Sequence, residues 1–500
     1  MMGTMQTTSF GKWWLAAPLV MGLAACGDSG MAASTDTAGM TQSTVDPTMN
    51  TTAGTVPTGT GSETDTTTAG GSDSISGTTT TSTTSPTTTE SPTSTTTGPS
   101  TTTTTTTATT TTEGTTTTEG TTTTGTTGNP IMCEPGDGMN MGPVEKSFIW
   151  IPSENLSDVA KVNTQTMIEV ARYRTGPGGN SPSRTAVSAD GRFVVVNNRE
   201  TGNSSMFAAN LEDCVDTNGN GMIDTSQNKN DVRAWMADEC LRWHHQWPFA
   251  GGFSNGPRGV TWTPGTWDYD LCKYVNPKVW LGYNAAGGVA HFVRVDGETG
   301  AIEETVVVPN WNGQGYSPYG GALDPEFRPW FGGLRGEFLR INTDQNPITV
   351  SRWTPPANIQ SYGFTVDGDG NPWFAGCSGP VSTFDADTEQ YTSVPGTNAC
   401  YRGITADKEN VWIASNGPCA LTQVDRATKT LIANHNTNPC NTAIGLSVDA
   451  EEYVWLVDQG GWAWKIDPDN VAGMQQVQVA GSHYVYSDMT GGQLLSILPM

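Results

Sequence analysis

The amino-acid sequence predicts an all-β fold: a β-propeller of seven four-stranded blades, closed by a blade shared between the two ends of the chain and preceded by a disordered tether. Three observations predict it. A Gly-x-x-x-Asp motif followed by an apolar-Trp pair recurs, in its clearest copies, every 40 to 42 residues. Of the 17 Trp, all but Trp13 and Trp14 lie beyond Cys133, in a stretch rich in Gly, Asn, Val and Thr, which is strand-and-turn composition. The first and last segments of that stretch each hold part of a unit, and together they hold a whole one.

Residues 1–25 come first. Lys12 precedes an apolar run from Trp13 to Ala25, shorter than the roughly 20 residues that span a bilayer as a helix, so the run reads as a signal peptide. It closes on Leu23-Ala-Ala-Cys26, which resembles the bacterial lipobox; that resemblance implies a lipid on Cys26, the first residue of the mature chain. Gly27 rather than Asp follows, so the inner-membrane retention signal of enteric lipoproteins is absent and the outer membrane or cell surface is the expected location. Residues 26–132 form the tether. No Lys or Arg occurs between Lys12 and Lys146, and no Leu, Phe, Tyr or Trp from Met31 to Pro130, so this segment cannot offset the entropy of ordering its backbone. Its Thr, Ser, Gly and Pro make a flexible spacer, either a stalk or a tolerated repeat expansion.

Residues 133–500 hold the repeats. Ser361-Tyr-Gly-Phe-Thr-Val-Asp367 precedes Pro372-Trp-Phe-Ala375, Tyr401-Arg-Gly-Ile-Thr-Ala-Asp407 precedes Val411-Trp-Ile-Ala414, and Ala443-Ile-Gly-Leu-Ser-Val-Asp449 precedes Val454-Trp-Leu456. Looser copies begin near Arg184, Arg258 and Tyr319. Each unit supplies four strands: the Gly-to-Asp piece is innermost, the Trp segment second, a piece such as Val293 to Asp296 third, and an alternating segment outermost. Phe148 to Ile151, Val159 to Val162 and Met167 to Val170 lack an innermost strand, which Tyr484-Val-Tyr-Ser-Asp488 can supply. Closing the ring in this way removes the exposed sheet edges.

The Gly-x-x-x-Asp, Val-Trp and Arg-Val-Asp recurrence resembles the streptogramin B lyase (virginiamycin B lyase-like) propellers, from about Lys146 to Leu495. That resemblance implies a seven-bladed propeller. For members with proven chemistry it also implies histidine and acid residues with magnesium near the central channel. The repeat is itself a packing motif and specifies fold rather than activity.

Candidate sites follow from spacing. Asp216, Asn218, Asn220, the Met222 carbonyl and Asp224 occupy positions one, three, five, seven and nine of a calcium-type loop, with Gly221 at its sharp turn and Gln227 in place of the usual Glu at position twelve. A bidentate ligand would come from Asp231, Asp238 or Glu239; the alternative is a polar turn without an ion. Of the 9 Cys, eight lie beyond the leader, an even number that suits an exported chain. Cys214 with Cys240, Cys377 with Cys400 and Cys419 with Cys440 are natural pairs, leaving Cys133 and Cys272 by elimination. Counting five residues back from each repeat Asp, and using the glycine where the Asp is missing, places Thr185, Arg258, Tyr319, Tyr362, Arg402, Ile444 and His483 around the channel mouth. Two guanidinium groups and a histidine there would suit an anionic or polar ligand; the alternative is bonding between strand ends and channel water.

Charge narrows the partners. A net charge of −25 repels a phosphate backbone or an anionic membrane surface, so nucleic acid is not an expected partner. No nucleophile elbow, phosphate loop or zinc-protease helix occurs, and with 5 His there is little material for a histidine-based metal enzyme. The sequence therefore points to a lipid-anchored module binding an extracellular glycan, peptide or small anion, with a structural calcium. The alternative is a lyase-like enzyme working at the channel mouth with a divalent metal.

Overall fold

The computed structural model describes residues 147–497 apart from 249–251 and 286. The signal peptide, the tether with Cys26, and Cys133 lie outside the described residues. Six four-stranded antiparallel sheets follow one another along the chain, and a seventh is assembled from both ends of the described chain. Blade 1 is that joint blade. Its strands Phe148–Ser153, Asp158–Asn163 and Glu169–Arg174 form a three-stranded sheet. The innermost position is filled by the C-terminal segment: Glu154 N–H donates to the Ser482 carbonyl and Trp150 N–H to that of Met489, both at 2.9 Å. Val485 and Met489 are buried with Ile149 and Ile151. This is the closure that the unmatched ends of the repeat predict.

The innermost strands of blades 2 to 7 are Pro182–Val187, Val260–Thr263, Gly320–Leu323, Gly363–Val366, Tyr401–Ala406 and Ala443–Val448, each beside the next around a central axis. Buried on both faces, they are mostly apolar or small, with Arg184 and Arg402 the large polar exceptions, whereas outermost strands such as Thr430–Asn436 alternate exposed and half-buried residues. The repeat glycine permits the close approach. A Cβ on Gly363 would lie 2.1 Å from the Arg402 carbonyl oxygen, and one on Gly403 would lie 2.4 Å from that of Ile444.

The repeat Asp and Trp also meet. Trp330, Trp373, Trp412 and Trp455 each donate their indole N–H to one oxygen of Asp324, Asp367, Asp407 and Asp449, at 2.6 to 2.9 Å. The other oxygen accepts backbone N–H groups of the turn between the two strands, those of Arg328, Asn371, Asn410 and Tyr453 among them. One carboxylate thus shapes the turn and orients the tryptophan between sheets, which is why the two residue types recur together. Blades 2 and 3 depart from the pattern. Asp190 bonds Ser188 and Arg192, and Trp262 donates to the Ala186 carbonyl at 2.7 Å.

Two elements go beyond the repeat. A small hairpin, Thr266–Asp268 with Lys273–Val275, is inserted between the first two strands of blade 3. A C-terminal helix, Gly492–Ile497, lies at the end of the channel where the inner strands finish. Leu494 and Ile497 are buried in one cluster with Val187 and Leu323, and Gln493 Nε2 donates to Thr365 Oγ1 at 2.7 Å. With that end covered, the other mouth becomes the candidate site.

Candidate functional site

At the opposite end, where the inner strands begin, Arg184, Arg258, Tyr319, Tyr362, Arg402, Ile444 and Tyr484 stand one per blade. Arg184 stacks over Tyr319 at 4.7 Å and Tyr486 at 4.2 Å. Its Nε donates to the Tyr319 carbonyl at 3.2 Å, and its Nη1 to those of Ser183 at 2.9 Å and Tyr484 at 3.3 Å. Arg258 lies over Tyr319 and Tyr316 at 5.0 and 5.4 Å. Arg402 Nη1 donates to the hydroxyls of Tyr362 at 2.7 Å and Tyr486 at 3.3 Å. The hydroxyls themselves form a chain: Tyr486 donates to Tyr362 at 2.7 Å, Tyr362 bonds Tyr484, and Tyr484 bonds Tyr319 at 2.8 Å.

Arg184 and Arg258 are fully buried, and no carboxylate among the described residues pairs with Arg184 or Arg402. At the rim, Glu154 is held by Arg199. Burial pushes the Arg184 pKa down, with Arg258 adding repulsion against the opposing influence of the Tyr319 hydroxyl. Burial also acts to lower Arg402, but the hydroxyls of Tyr486 and Tyr362 outweigh it and hold this pKa up. Tyr486 is itself pushed up to about 12 by burial, in spite of Arg402, so its phenol is neutral near pH 7. Among the described residues, Arg184 Nη2 and Arg402 Nε are buried with no hydrogen-bond partner. Buried donors left without a partner are stabilised when an acceptor reaches them, and an acceptor with negative charge would also offset the buried cations.

Five of the seven predicted positions are in this ring: Arg258, Tyr319, Tyr362, Arg402 and Ile444. Thr185 and His483 are not, and Arg184 and Tyr484 stand there instead, each one residue away. In blade 2 the place of the repeat Asp is taken by Ser188, whose N–H donates to the Phe193 carbonyl at 2.9 Å as that of Asp367 does to Asn371 at 3.0 Å, so a count anchored on Asp190 does not keep the register of the other blades. Thr185 Oγ1 faces the Trp150 carbonyl at 3.4 Å, and its backbone is clasped by Ser487. In blade 1, Asp488 does not perform the repeat role. It accepts from Ser447 Oγ at 2.9 Å and from the Thr490 and Gly491 N–H groups, so counting back from it lands one residue early. His483 is buried with its ring nitrogens 3.0 and 3.1 Å from the Pro152 and Val479 carbonyl oxygens. Tyr486, Arg199 and Tyr316 were not legible from the count, although the residues that begin the repeat copies include Arg184.

The histidine-and-acid pair implied by the lyase resemblance is therefore not made by His483. His244, His245, His291 and His435 lie on outer strands against Ser205, the Gly300 carbonyl, Tyr283 and Gln423. Among the described residues no group of three or more His, Cys, Asp or Glu is placed to hold a metal, and arginines at the mouth would repel a magnesium ion. The residues present do not fit that metal.

The Asp216 loop lies in an insertion between the third and fourth strands of blade 2. Asp216 accepts from the Gly219 and Gly221 N–H groups at 2.6 and 2.8 Å, and the Asn218 and Asn220 amides both reach Asp224 at 2.8 Å. Glu239 accepts the N–H groups of Thr217, Asn218 and Asp224, so it caps the loop backbone. Cys214–Cys240, Cys377–Cys400 and Cys419–Cys440 are the predicted disulfides. Cys272 is also disulfide-bonded.

No model of a known family matches this chain, and no curated protein matches it in sequence. Three of the solved structures that are similar to it illustrate the likeness. Apo AztD from Citrobacter koseri is 10% identical, with a TM-score of 0.43 over 68% of this chain and 97% of its own. Hydrazine synthase from Kuenenia stuttgartiensis is 11% identical, with a TM-score of 0.43 over 71% of this chain and 99% of its own. A functionally unknown protein from Desulfotomaculum acetoxidans DSM 771 is 12% identical, with a TM-score of 0.45 over 68% of this chain and 100% of its own. No site residue is carried across from any of them.

Proposed function

We propose that the chain is an exported lipoprotein, held by a lipid on Cys26 and the tether that follows, whose propeller binds an anionic ligand at the channel mouth. One observation carries the binding role: among the described residues, Arg184 Nη2 is buried without a hydrogen-bond partner, and Arg402, which meets the same Tyr486, pairs with no carboxylate. The tyrosine rings give the guanidinium groups an apolar, rigid seat, and the hydroxyl chain leaves donors and acceptors to orient the ligand. The Asp216 loop is proposed to hold a structural calcium through Asp216, Asn218, Asn220, Met222 and Asp224; the calcium-type spacing and the reach of the Asn218 and Asn220 amides to Asp224 support this reading.

The test is a thermal-shift and calorimetric titration of the purified protein with chloride, phosphate, acetate and glucuronate at constant ionic strength. At least one anion should raise Tm saturably, and Arg402→Gln should weaken that response at least tenfold. If no anion acts beyond the ionic-strength control, the binding role falls. Export and anchoring are tested separately: labelled palmitate should enter the wild type and not Cys26→Ser.

A further inference from the structure

Beside the arginine cluster, on the same face, a groove opens among the loops that enter, turn within and leave blade 4. It is a cavity of about 290 Å³ lined by Asn312, Gln314, Arg335, Thr354, Pro355 and Gln360, among others. Ligand sites run from about 300 to 1,000 Å³, so this one has room for a single small unit of a larger ligand. Its inner wall is shared with the channel mouth. Gln360 stands two residues before Tyr362, the Arg335 N–H donates to the Ser361 carbonyl at 2.8 Å, and Leu334 packs in the cluster that holds Tyr319 and Tyr362. Tyr316, two residues after Gln314, meets Tyr319 edge-on at 6.2 Å.

Three features mark the groove as more than a gap between loops. Gln360 Oε1 is buried with no hydrogen-bond partner among the described residues. Gln314 and Arg335 both adopt left-handed backbone, at φ of 53° and 50°, a conformation uncommon for non-glycine residues. The lining contains no acid, although the chain as a whole has 49 Asp and Glu against 24 Lys and Arg.

We propose that mouth and groove form one extended site for an acidic glycan, with the acid group on the arginines and a neighbouring sugar in the groove; this rests on the anion-binding reading of the mouth. Asn312, Gln314 and Gln360 each carry an amide that offers a donor and an acceptor side by side, the pattern that adjacent sugar hydroxyls match. A peptide adding to a sheet would instead need a free strand edge, and this groove is built from loops and turns.

The experiment is isothermal titration of the purified full chain with glucuronic acid, with cellobiouronic acid (glucuronic acid linked β-1,4 to glucose), with cellobiose, and with the tripeptide Glu-Gly-Gly. The acidic disaccharide should bind at least tenfold more tightly than glucuronic acid. Gln360→Leu should abolish that advantage while leaving glucuronic acid binding unchanged, with Gln314→Ala as a second variant and melting curves to show that both fold. Arg402→Gln should weaken both acidic sugars. Equal affinity for the mono- and disaccharide would overturn the groove and leave the mouth standing. Phosphate binding without any uronate binding would overturn the glycan, and tighter binding of the tripeptide through Gln360 would replace it with a peptide. Silence from every anion, phosphate included, would remove the mouth reading itself.

Discussion

A single aspartate per repeat couples the turn to the tryptophan. Asp367 is fully buried, with one oxygen on the Trp373 indole at 2.8 Å and the other on the Asp369 and Asn371 N–H groups at 3.0 and 2.9 Å. Removing it orphans three donors, and bonds to charged acceptors contribute about 1.5–3 kcal/mol each in isolation. Asp367→Ala should therefore lower unfolding stability by about 3 kcal/mol in chemical denaturation, and Asp367→Asn by less, since it keeps one acceptor oxygen. Equal stability of wild type and Asp367→Ala would show that the conserved geometry is incidental. A second carboxylate gives a pH signature. Burial alone would raise the pKa of Asp296, but Lys278 at 2.7 Å and the Thr299 hydroxyl and N–H draw it down to about 2. A depressed carboxylate contributes stability above its unfolded pKa near 3.8, and loses it as pH falls through about 2. Lys278→Met should thus lower Tm at pH 6, with the difference shrinking steadily as pH is lowered toward 2. At this scale the identity of the repeat residues was legible, because packing dictates them. Their register was not: Ser188 in place of the repeat Asp in blade 2 and a borrowed Asp488 in blade 1 moved the count from Arg184 to Thr185 and from Tyr484 to His483.

Elements that repeat announce themselves through periodic Trp and Gly; those that occur once have only local signals. The insertion of blade 2 was legible because Cys214 and Cys240 bracket an Asp-x-Asn-x-Asn-Gly run, and both features are short-range. The hairpin at Thr266–Asp268 has three-residue strands, too short for an alternation to show. The helix Gly492–Ile497 is six residues long, far below what propensity can stabilise, and exists because Leu494 and Ile497 are buried at the channel end. The insertion also supplies the metal test. If calcium joins Asp216 and Asp224 across the loop, chelator should lower Tm for the wild type and have no effect on Asp224→Ala. A wild-type melt unchanged by chelator, in protein verified to be metal-free, would leave a loop held by its own Asn218, Asn220 and Glu239 hydrogen bonds.

At the scale of the whole molecule, the ring depends on how blade 1 closes, and this was the most legible long-range feature because each end of the repeat region is visibly incomplete without the other. The C-terminal segment does more than complete the sheet. Besides Trp150, it bonds blade 2 through Ser487 to the Thr185 backbone at 2.6 and 3.0 Å, and blade 7 through the Met489 N–H to Ser447 Oγ at 3.1 Å. It also carries Tyr484 and Tyr486 into the arginine cluster, so closure and ligand site share one strand. Two truncations separate these roles. Deleting from Gly492 onward removes the helix and uncovers Val187 and Leu323, which should lower Tm while leaving one cooperative transition and an intact anion response. Deleting from Ser482 onward opens blade 1, exposes the edge of Phe148–Ser153, and strips two tyrosines from around Arg184. That variant should lose the cooperative melt altogether, with no residual anion binding, because no blade is stable once its inner strand and its neighbours' contacts are lost. A cooperative transition in the shorter protein, at whatever temperature, would mean that six blades hold without the seventh and that the C-terminal strand serves the site alone.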